Sequence, residues 1–467
     1  MKKSFGIVLS LTLLLCAFPF SANSQSKNSQ CTTLSDRTDA VLQSTDGEGF
    51  NCFAIIAGKN TTKDGSVIFG HNEDDSGEQM LNIYVVPSGV EKAGEGVLKA
   101  PASKVKAGAM NAKYIWFEFP GMSVADAAMN EHGVCIASDG CNSREDRKDY
   151  TDGGVLYEVR MNVAKYASSA REAVKIIGEC VEQYGYTGSG RTYSVADPNE
   201  GWIVAVVRGR HWVAMRVPDD KVMAIPNYYT ITTVDLSDTA NFMGSKDIED
   251  YAVERGWFDP HSRQEFNFRL AYSDPTLISK EGNTIRHKLV IDYLTDGTYD
   301  YNPYGVEPMF TPARKLDVQD FINMLSLHDS LTPGKTEHPG RVCNNSTILT
   351  TIFQLRSWMN KESGCIAWVA PGHPCSNFFV PLRLGIGKEG PNWARFESWK
   401  EAEEKHFTDA KDKRKNYPNG AYWKFVDKWN ELAEDYTNKI EEVKRENRRI
   451  QHRIFRMVEH QDRQLEK

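Results

Sequence analysis

Between residues 52 and 75 the order of apolar and polar positions predicts a hairpin. Residues 53–57 form an unbroken apolar run, the pattern of a strand buried on both faces. Residues 59–65 are polar and end in Asp64-Gly65, which is turn chemistry, and 66–70 read as a second strand. His71, Asn72, Glu73, Asp74 and Asp75 crowd the far end of that strand. If Gly58 pairs with Ser66, antiparallel register sets Cys52 opposite Asn72, to within about two residues. A thiol and a polar cluster then meet at one end of one hairpin, the outline of a reaction centre.

Further along, 116–137 reads as mixed strand and helix closing on a buried strand at 133–137. Val163, Tyr166, Ala170, Ala173, Ile176, Ile177 and Cys180 recur at helical spacing and predict one helix over 160–185. Strands follow at 193–196, 202–207, 212–217 and 222–225, broken at Asp197-Pro198-Asn199, Gly209 and Pro218-Asp219-Asp220. Such closely spaced antiparallel strands, with helices between groups, predict an α+β sandwich rather than alternating βαβ units. Residues 185–192 nearly spell a phosphate-binding loop. Arg191 stands where that motif needs Lys, however, and the helix comes before the loop instead of after it, so no nucleotide is expected. From residue 421 a seam of Phe425, Trp429, Leu432, Tyr436, Ile440, Val443, Ile450, Ile454 and Met457, with Asn447 in the gap, predicts one long amphipathic helix. It suits packing along the domain's own surface or a contact between copies of the chain; either role is structural.

The N-terminus has different chemistry. Lys2 and Lys3 precede an apolar run over 6–17, then Pro19 and small polar residues, so 1–24 reads as a secretory signal too short to span a membrane stably. Cys16 follows Leu15 rather than a small residue, which suits a lipoprotein anchor less well. Residues 25–51 are polar and aperiodic, a linker or a short propeptide ending at Asn51. The 467 residues carry a formal charge of −7 with both signs interspersed, which argues against nucleic-acid binding. Nine cysteines are present. Setting aside Cys16, Cys31 and Cys52, six remain that could pair in about fifteen ways in an exported protein. There is no CxxC spacing, so neither zinc nor another cofactor is expected.

A Cys at a newly made N-terminus brings its own base: an α-amine of ordinary pKa ~7.7–8.0 beside a thiol of ~8.5. Here a family resemblance enters. CFAIIAGKNTTKDGSVIFGHNEDD, MNEHGVCIASDGCNSRE, YSVADPNEGWIVAVVRGRHWVAMRVPDD, IPNYYTITTVDLSD and CIAWVAPGHPCSNFFVPLRLGIG, in that order, resemble the dipeptidase A and secernin-like cysteine peptidases among N-terminal-nucleophile hydrolases. The resemblance implies a four-layer αββα catalytic domain over 52–395, with a C-terminal helical region at 396–467. It implies cleavage between Asn51 and Cys52, Cys52 as nucleophile, Asp74 as acceptor for its α-amine, Asn72 beside it, and Asn227 as oxyanion donor. His71 fills a place where bile-salt-hydrolase relatives carry Arg; it either tunes the thiol or has no role. Asn142 and Arg269 are further substrate-side candidates by position. Many members begin Cys-Thr-Thr, but Cys31-Thr32-Thr33 leads into polar LSDRTD, whereas Cys52 leads into an apolar strand and a DG hairpin.

The implied activity is hydrolysis of short unblocked peptides. Recognition of a free ammonium needs a carboxylate, for which Glu73, Asp75, Asp139 and Glu145 are candidates. Neighbouring residues on a strand alternate faces, so only two of His71, Glu73, Asp74 and Asp75 could share an ion, and no metal is expected there. A related amidase acting on acylated amines is the alternative, and an inactive binding protein on the same fold is a third reading.

Overall fold

The first hairpin forms where the pattern places it. In the computed structural model β1 (Phe53–Ala57) and β2 (Val67–Asp74) pair antiparallel. The turn between them is closed by Asp64, whose Oδ1 accepts from the Ser66 N–H (3.1 Å) and hydroxyl (2.6 Å). The structure describes residues 52–74, 82–90, 99–105, 110–118, 125–331, 335–385 and 421–465. The signal (1–24), the propeptide (25–51) with Cys31 and Asn51, and Asp75 lie outside the described residues.

After the hairpin come β3 (Asn82–Val86), β4 (Tyr114–Glu118), β5 (Ala125–Asn130) and β6 (Cys135–Gly140). The expectation of mixed strand and helix over 116–137 is corrected among the described residues: β4, β5 and β6 are all strands, because pairing within a buried sheet overrides the helical preference of ADAAMN. Two helices follow, α1 (Glu158–Tyr166) and α2 (Ala170–Tyr184), where one was expected. Ser169 makes the break, its hydroxyl accepting from Glu172 N while Glu172 reaches back to the Ser168 N–H at 2.8 Å.

The chain then lays down β7 (Tyr186–Ala196), β8 (Gly201–Gly209), β9 (Trp212–Val217), β10 (Val222–Ile225) and β11 (Phe242–Gly244). The stretch resembling a phosphate loop is the first half of β7. Gly190 there has φ 145°, and a Cβ on it would sit 2.3 Å from the Cys141 carbonyl oxygen, so its glycine serves close backbone packing. Next come α3 (Glu281–Thr295), α4 (Val318–Leu325), β12 (Thr347–Leu355), β13 (Ile366–Pro371) and β14 (Val380–Leu382). Two C-terminal helices follow, α5 (Ala421–Ala433) and α6 (Tyr436–Leu465).

Two large antiparallel sheets result, beside a two-stranded ribbon of Gly89–Val90 and Met110–Asn111. One has the order β10-β1-β2-β12-β13-β14, the other β11-β9-β8-β7-β6-β5-β4-β3. Ala54, Ile56, Val67 and Phe69 from the first pack against Ala137, Ile203, Ala205 and Met215 from the second. The opposite face of the first sheet, Phe53, Ile55, Ala57 and Ile68, packs under Val290 and Leu294 of α3, Phe321 and Leu325 of α4, and Val458 of α6. Helices α1 and α2 cover the second sheet. The layers are αββα, as the resemblance implies.

The expected single C-terminal helix is two helices around a turn at 434–435, and its apolar seam lies on the domain's own surface. Asn447, the polar residue in that seam, donates to the Ser376 carbonyl at 2.7 Å, and Gln451 accepts from the Phe379 N–H at 2.7 Å. Asp462 bridges Arg356 and Arg383, each at 2.6 Å. No helix among the described residues is long and apolar enough to cross a membrane.

Candidate active site

Register decides what Cys52 meets. Phe53 pairs with Asn72 and Ala54 with His71, so continuing the ladder brings Cys52 beside Glu73, one residue from the expected partner. One residue reverses the face. Ala54 lies in the core between the sheets and Phe53 in the core under the helices. His71 and Glu73 therefore point between the sheets with Cys52, while Asn72 and Asp74 point at the helices. The Cys52 Sγ, a His71 ring nitrogen and a Glu73 oxygen lie within 4.8 Å of one another, all buried.

Between the sheets the cluster is strongly charged. His71 stands between two fully buried carboxylates, with Nδ1 3.5 Å from Asp126 and Nε2 3.7 Å from Asp139. Burial opposes a charge on this ring, but Asp126 and Asp139 outweigh it and raise its pKa. Burial raises the Asp126 pKa, yet His71 and a hydrogen bond from Glu73 outweigh burial and lower it. Asp139 goes the other way: burial pushes it up to about 7 despite His71, Arg191 and Arg286. Arg191 donates to the Tyr186 and Ser138 hydroxyls at 3.0 Å each, and Arg160 to the Asp126 carbonyl at 2.9 Å. The Cys52 thiol is pushed well above its ordinary pKa, by burial first and then by Glu73, Asp139 and Asp74; a backbone hydrogen bond at Asp74 offsets this only partly.

On the helix side, Asp74 accepts from Asn344 Nδ2 and the Thr347 hydroxyl, both at 2.6 Å, with Arg286 Nη1 at 3.7 Å. Burial pushes its pKa to about 7 against the pull of Arg286 and these two donors. Arg286, on α3, ties the site together. It donates to the Cys52 carbonyl (3.3 Å), to Asn227 Oδ1 (2.6 Å) and to Asn283 Oδ1 (2.9 Å). Asn227, just past β10, gives one Nδ2 hydrogen to the Gly140 carbonyl at 2.9 Å. A nucleophile-type thiol, an amide and an ion pair thus converge on the start of β1.

The sequence model of peptidase family C69 matches residues 51–394. The chain belongs to peptidase family C69. A relative named probable dipeptidase, from Latilactobacillus sakei, is 30% identical over 355 residues, covering 71% of this chain and 73% of its own. Another probable dipeptidase, from Salmonella dublin, is 25% identical over 367 residues, covering 73% and 82%. Dipeptidase A of Lactobacillus helveticus is 24% identical over 369 residues, covering 73% and 77%. Among solved structures, a mutant conjugated bile acid hydrolase from Clostridium perfringens aligns with TM-score 0.36 and 13% identity, over 74% of this chain and 98% of that one. Penicillin V acylase from Agrobacterium tumefaciens aligns with TM-score 0.34 and 14% identity, over 71% and 86%.

In this C69 peptidase several expected site residues do other work. Asn72 donates to the Leu325 and Val342 carbonyls, both at 2.9 Å, and accepts from the Thr350 hydroxyl at 2.6 Å; it anchors β2 to the helix layer instead of meeting the thiol. Arg269 is buried elsewhere, donating to the Thr230 and Val306 carbonyls at 2.9 and 2.8 Å. Asn142 is exposed and accepts from the Ser189 hydroxyl at 2.6 Å. Glu145 is held by the Tyr251 hydroxyl at 2.6 Å and by Arg255. Glu73 and Asp139 are near Cys52 but already engaged, with Asp126 and His71 respectively.

Of the residues missed from the sequence, which include Asp126, Asn344 and Thr347, Arg286 makes the most contacts with the site. A signal for it exists, because Asn283, Arg286, His287, Val290, Ile291 and Leu294 form the buried stripe of α3, and a charge in such a stripe calls for a partner. Truncation of Arg286 removes the positive charge facing Asp74 and the donor to the Cys52 carbonyl and Asn227 Oδ1, so Arg286→Met should lower kcat/KM by at least ~100-fold, and Arg286→Lys should not restore it because one ammonium cannot replace the fork. Steady-state kinetics on the folded variants checks this.

The buried carboxyls also set a pH dependence of stability. Asp74 and Asp139 have native pKa values raised above their unfolded ones, so the native state binds more protons and loses stability as pH rises from the ordinary carboxylate range towards about 7. His71, also raised, loses its contribution as pH rises through its native pKa. Asp126, lowered, loses its contribution only as pH falls below the ordinary carboxylate range. Urea unfolding should therefore show greater stability near pH 5 than near pH 8, with a shallower slope in Asp139→Asn.

Proposed function

We propose that this C69 peptidase is an exported, self-processing cysteine dipeptidase whose mature chain begins at Cys52. The observation that carries this reading is the convergence at Cys52: a buried thiol among His71 and Glu73 on one side, with Arg286 linking its carbonyl to Asn227 and Asp74 on the other. In the uncut chain the thiol's raised pKa keeps it protonated. Cleavage after Asn51 would uncover an α-amine on the same residue, able to take the thiol proton directly or through a water.

The thiolate then attacks the carbonyl carbon of the scissile amide. The oxyanion receives the second Nδ2 hydrogen of Asn227, an effect of about 3 kcal/mol per donor in comparable sites. The ammonium returns its proton to the leaving nitrogen, the C–N bond breaks, and a thioester remains for water to hydrolyse. Asp74, steadied by Asn344, Thr347 and Arg286, is the proposed partner of the new amine. Processing lacks that amine, which is still the Asn51–Cys52 amide nitrogen: a water takes the thiol proton, Sγ attacks the Asn51 carbonyl carbon, the C–N bond breaks as the proton passes to the nitrogen that becomes the α-amine, and water hydrolyses the Asn51 thioester.

For the substrate, the negative charge around the thiol favours the dipeptidase over the acyl-amidase. Glu73, Asp139 and Asp74 all raise the thiol pKa, so a substrate ammonium is welcome there, while an apolar acyl group would have to cover carboxylates. The relatives named as dipeptidases support this choice.

Maturation is tested by intact mass and N-terminal sequencing of secreted protein, expected to begin at Cys52. Cys52→Ala should remain an uncut, folded precursor, and Cys31→Ser should mature and act normally. A fully active protein starting near Gln25 would overturn the assignment, and normal processing of Cys52→Ala would give the cut to an outside protease.

Substrate class is tested with paired dipeptides. N-acetylation should lower kcat/KM by at least ~100-fold, the loss of a charge-assisted contact of about 3 kcal/mol. Equal rates on blocked and free substrates would give the site to the amidase.

A further inference from the structure

Away from Cys52, the side chains of His328, His338, Cys343 and Cys375 aim their ligand atoms at one point. One ring nitrogen from each histidine and both sulfurs lie within 4.8 Å of one another, with His338, Cys343 and Cys375 buried. The two Sγ atoms are 3.6 Å apart, and each is 3.7 Å from His338 Nε2. His328 Nε2 lies 2.9 Å from His338 Nε2. A tetrahedral zinc ion, with bonds near 2.3 Å to sulfur and 2.0–2.1 Å to nitrogen, separates its ligand atoms by about 3.3–3.8 Å. Of these four separations, only that between the two nitrogens falls short of the range, by a few tenths of an ångström.

We propose that these four residues form a closed, structural zinc site. The surrounding groups fit that role. His338 Nδ1 lies 2.9 Å from Asn345 Oδ1, a contact that fixes the ring with Nε2 facing the centre. The Tyr436 hydroxyl donates to Cys375 Sγ at 3.4 Å. Trp429, Leu432, Tyr436 and Ile440 of the C-terminal helices pack an apolar wall against the two cysteines, and four protein ligands fill a tetrahedral shell. A disulfide between Cys343 and Cys375 would account for the sulfurs alone; it needs neither imidazole.

The absence of a CxxC spacing hid this site. Its ligands come from the connection between α4 and β12, which carries His328, His338 and Cys343, and from the loop after β13, which carries Cys375, at sequence separations no local pattern covers. Its place also gives the ion something to hold. Cys343 sits between Val342, whose carbonyl accepts from Asn72, and Asn344, which donates to Asp74. Zinc would thus pin the segment that orients the helix-side wall of the active site, and join it to the C-terminal helices.

The test is metal content of the full-length protein purified without chelator, measured by inductively coupled plasma mass spectrometry. One zinc per chain is expected. Cobalt substituted for it should give the intense visible bands of a tetrahedral site together with a thiolate-to-cobalt charge-transfer band. Cys52→Ala should keep the metal, which separates this site from the Cys52, His71 and Glu73 group, while Cys343→Ser and His338→Ala should lose it and melt at lower temperature. If those variants do not fold, a mercurial thiol reagent added to the wild-type protein should release zinc to a chromophoric chelator. Three results would each overturn the proposal: no metal retained after incubation with zinc and desalting, loss of metal on Cys52→Ala with retention in Cys343→Ser, or peptide mapping that finds Cys343 and Cys375 joined to each other.

Discussion

Everything around Cys52 depends on the pairing of Phe53 with Asn72. A strand alternates its side chains between two faces, so this single register assigns each residue at the end of the hairpin to one of two cores. Cys52, His71 and Glu73 go between the sheets; Asn72 and Asp74 go under the helices. A slip of one residue would place the thiol against Phe321 and Leu325 and lift the carboxylates of the second sheet away from it. The register is held by apolar burial on both faces of β1, with every residue of that strand inaccessible to solvent, and by Asn72, whose amide fastens β2 to α4 and to the loop before β12.

The charge buried between the sheets carries a large desolvation cost, and the fold offsets it by pairing. His71 lies between Asp126 and Asp139, Glu73 shares a hydrogen bond with Asp126, and Arg160 and Arg191 bring positive charge from α1 and β7. Burial nevertheless wins at Asp139, and at Asp74 on the helix side, both at about 7 instead of in the ordinary carboxylate range. Groups poised at that value change protonation when a charged partner arrives. A free amine at Cys52, or the ammonium of a substrate, is such a partner, so the site responds to both events that the proposed chemistry requires.

The helix layer is as much a part of the site as the sheets. Arg286 reaches from α3 to the Cys52 carbonyl, Asn227 and Asp74, and Asn344 and Thr347 hold Asp74 from the segment entering β12. That segment continues into the His328, His338, Cys343 and Cys375 group and from there to the C-terminal helices. Residues more than two hundred positions after Cys52 therefore set the geometry at Cys52.

Local pattern alone determined a good deal. An unbroken apolar run, an Asp-Gly turn and a second apolar run specify the hairpin, since each is a short-range preference that burial reinforces. The quick succession of strands after residue 193 specified an α+β protein, and the apolar seam after residue 421 specified helix packed on one face. The ordered set of motifs resembling cysteine peptidases of the N-terminal-nucleophile kind pointed to Cys52, Asp74 and Asn227. What tertiary structure decided was parity and partnership. Whether Asn72 or Glu73 meets the thiol turns on a single residue of register, which burial on both faces of a strand cannot specify because neither face reads as polar. That Arg286 belongs to the site and Arg269 does not depends on which helix lies over β1, and four side chains of metal-ligating type spread from 328 to 375 converge only once two loops are packed together. Local sequence fixes conformation over a few residues; contacts between distant segments are fixed by the shared core, which no short stretch contains.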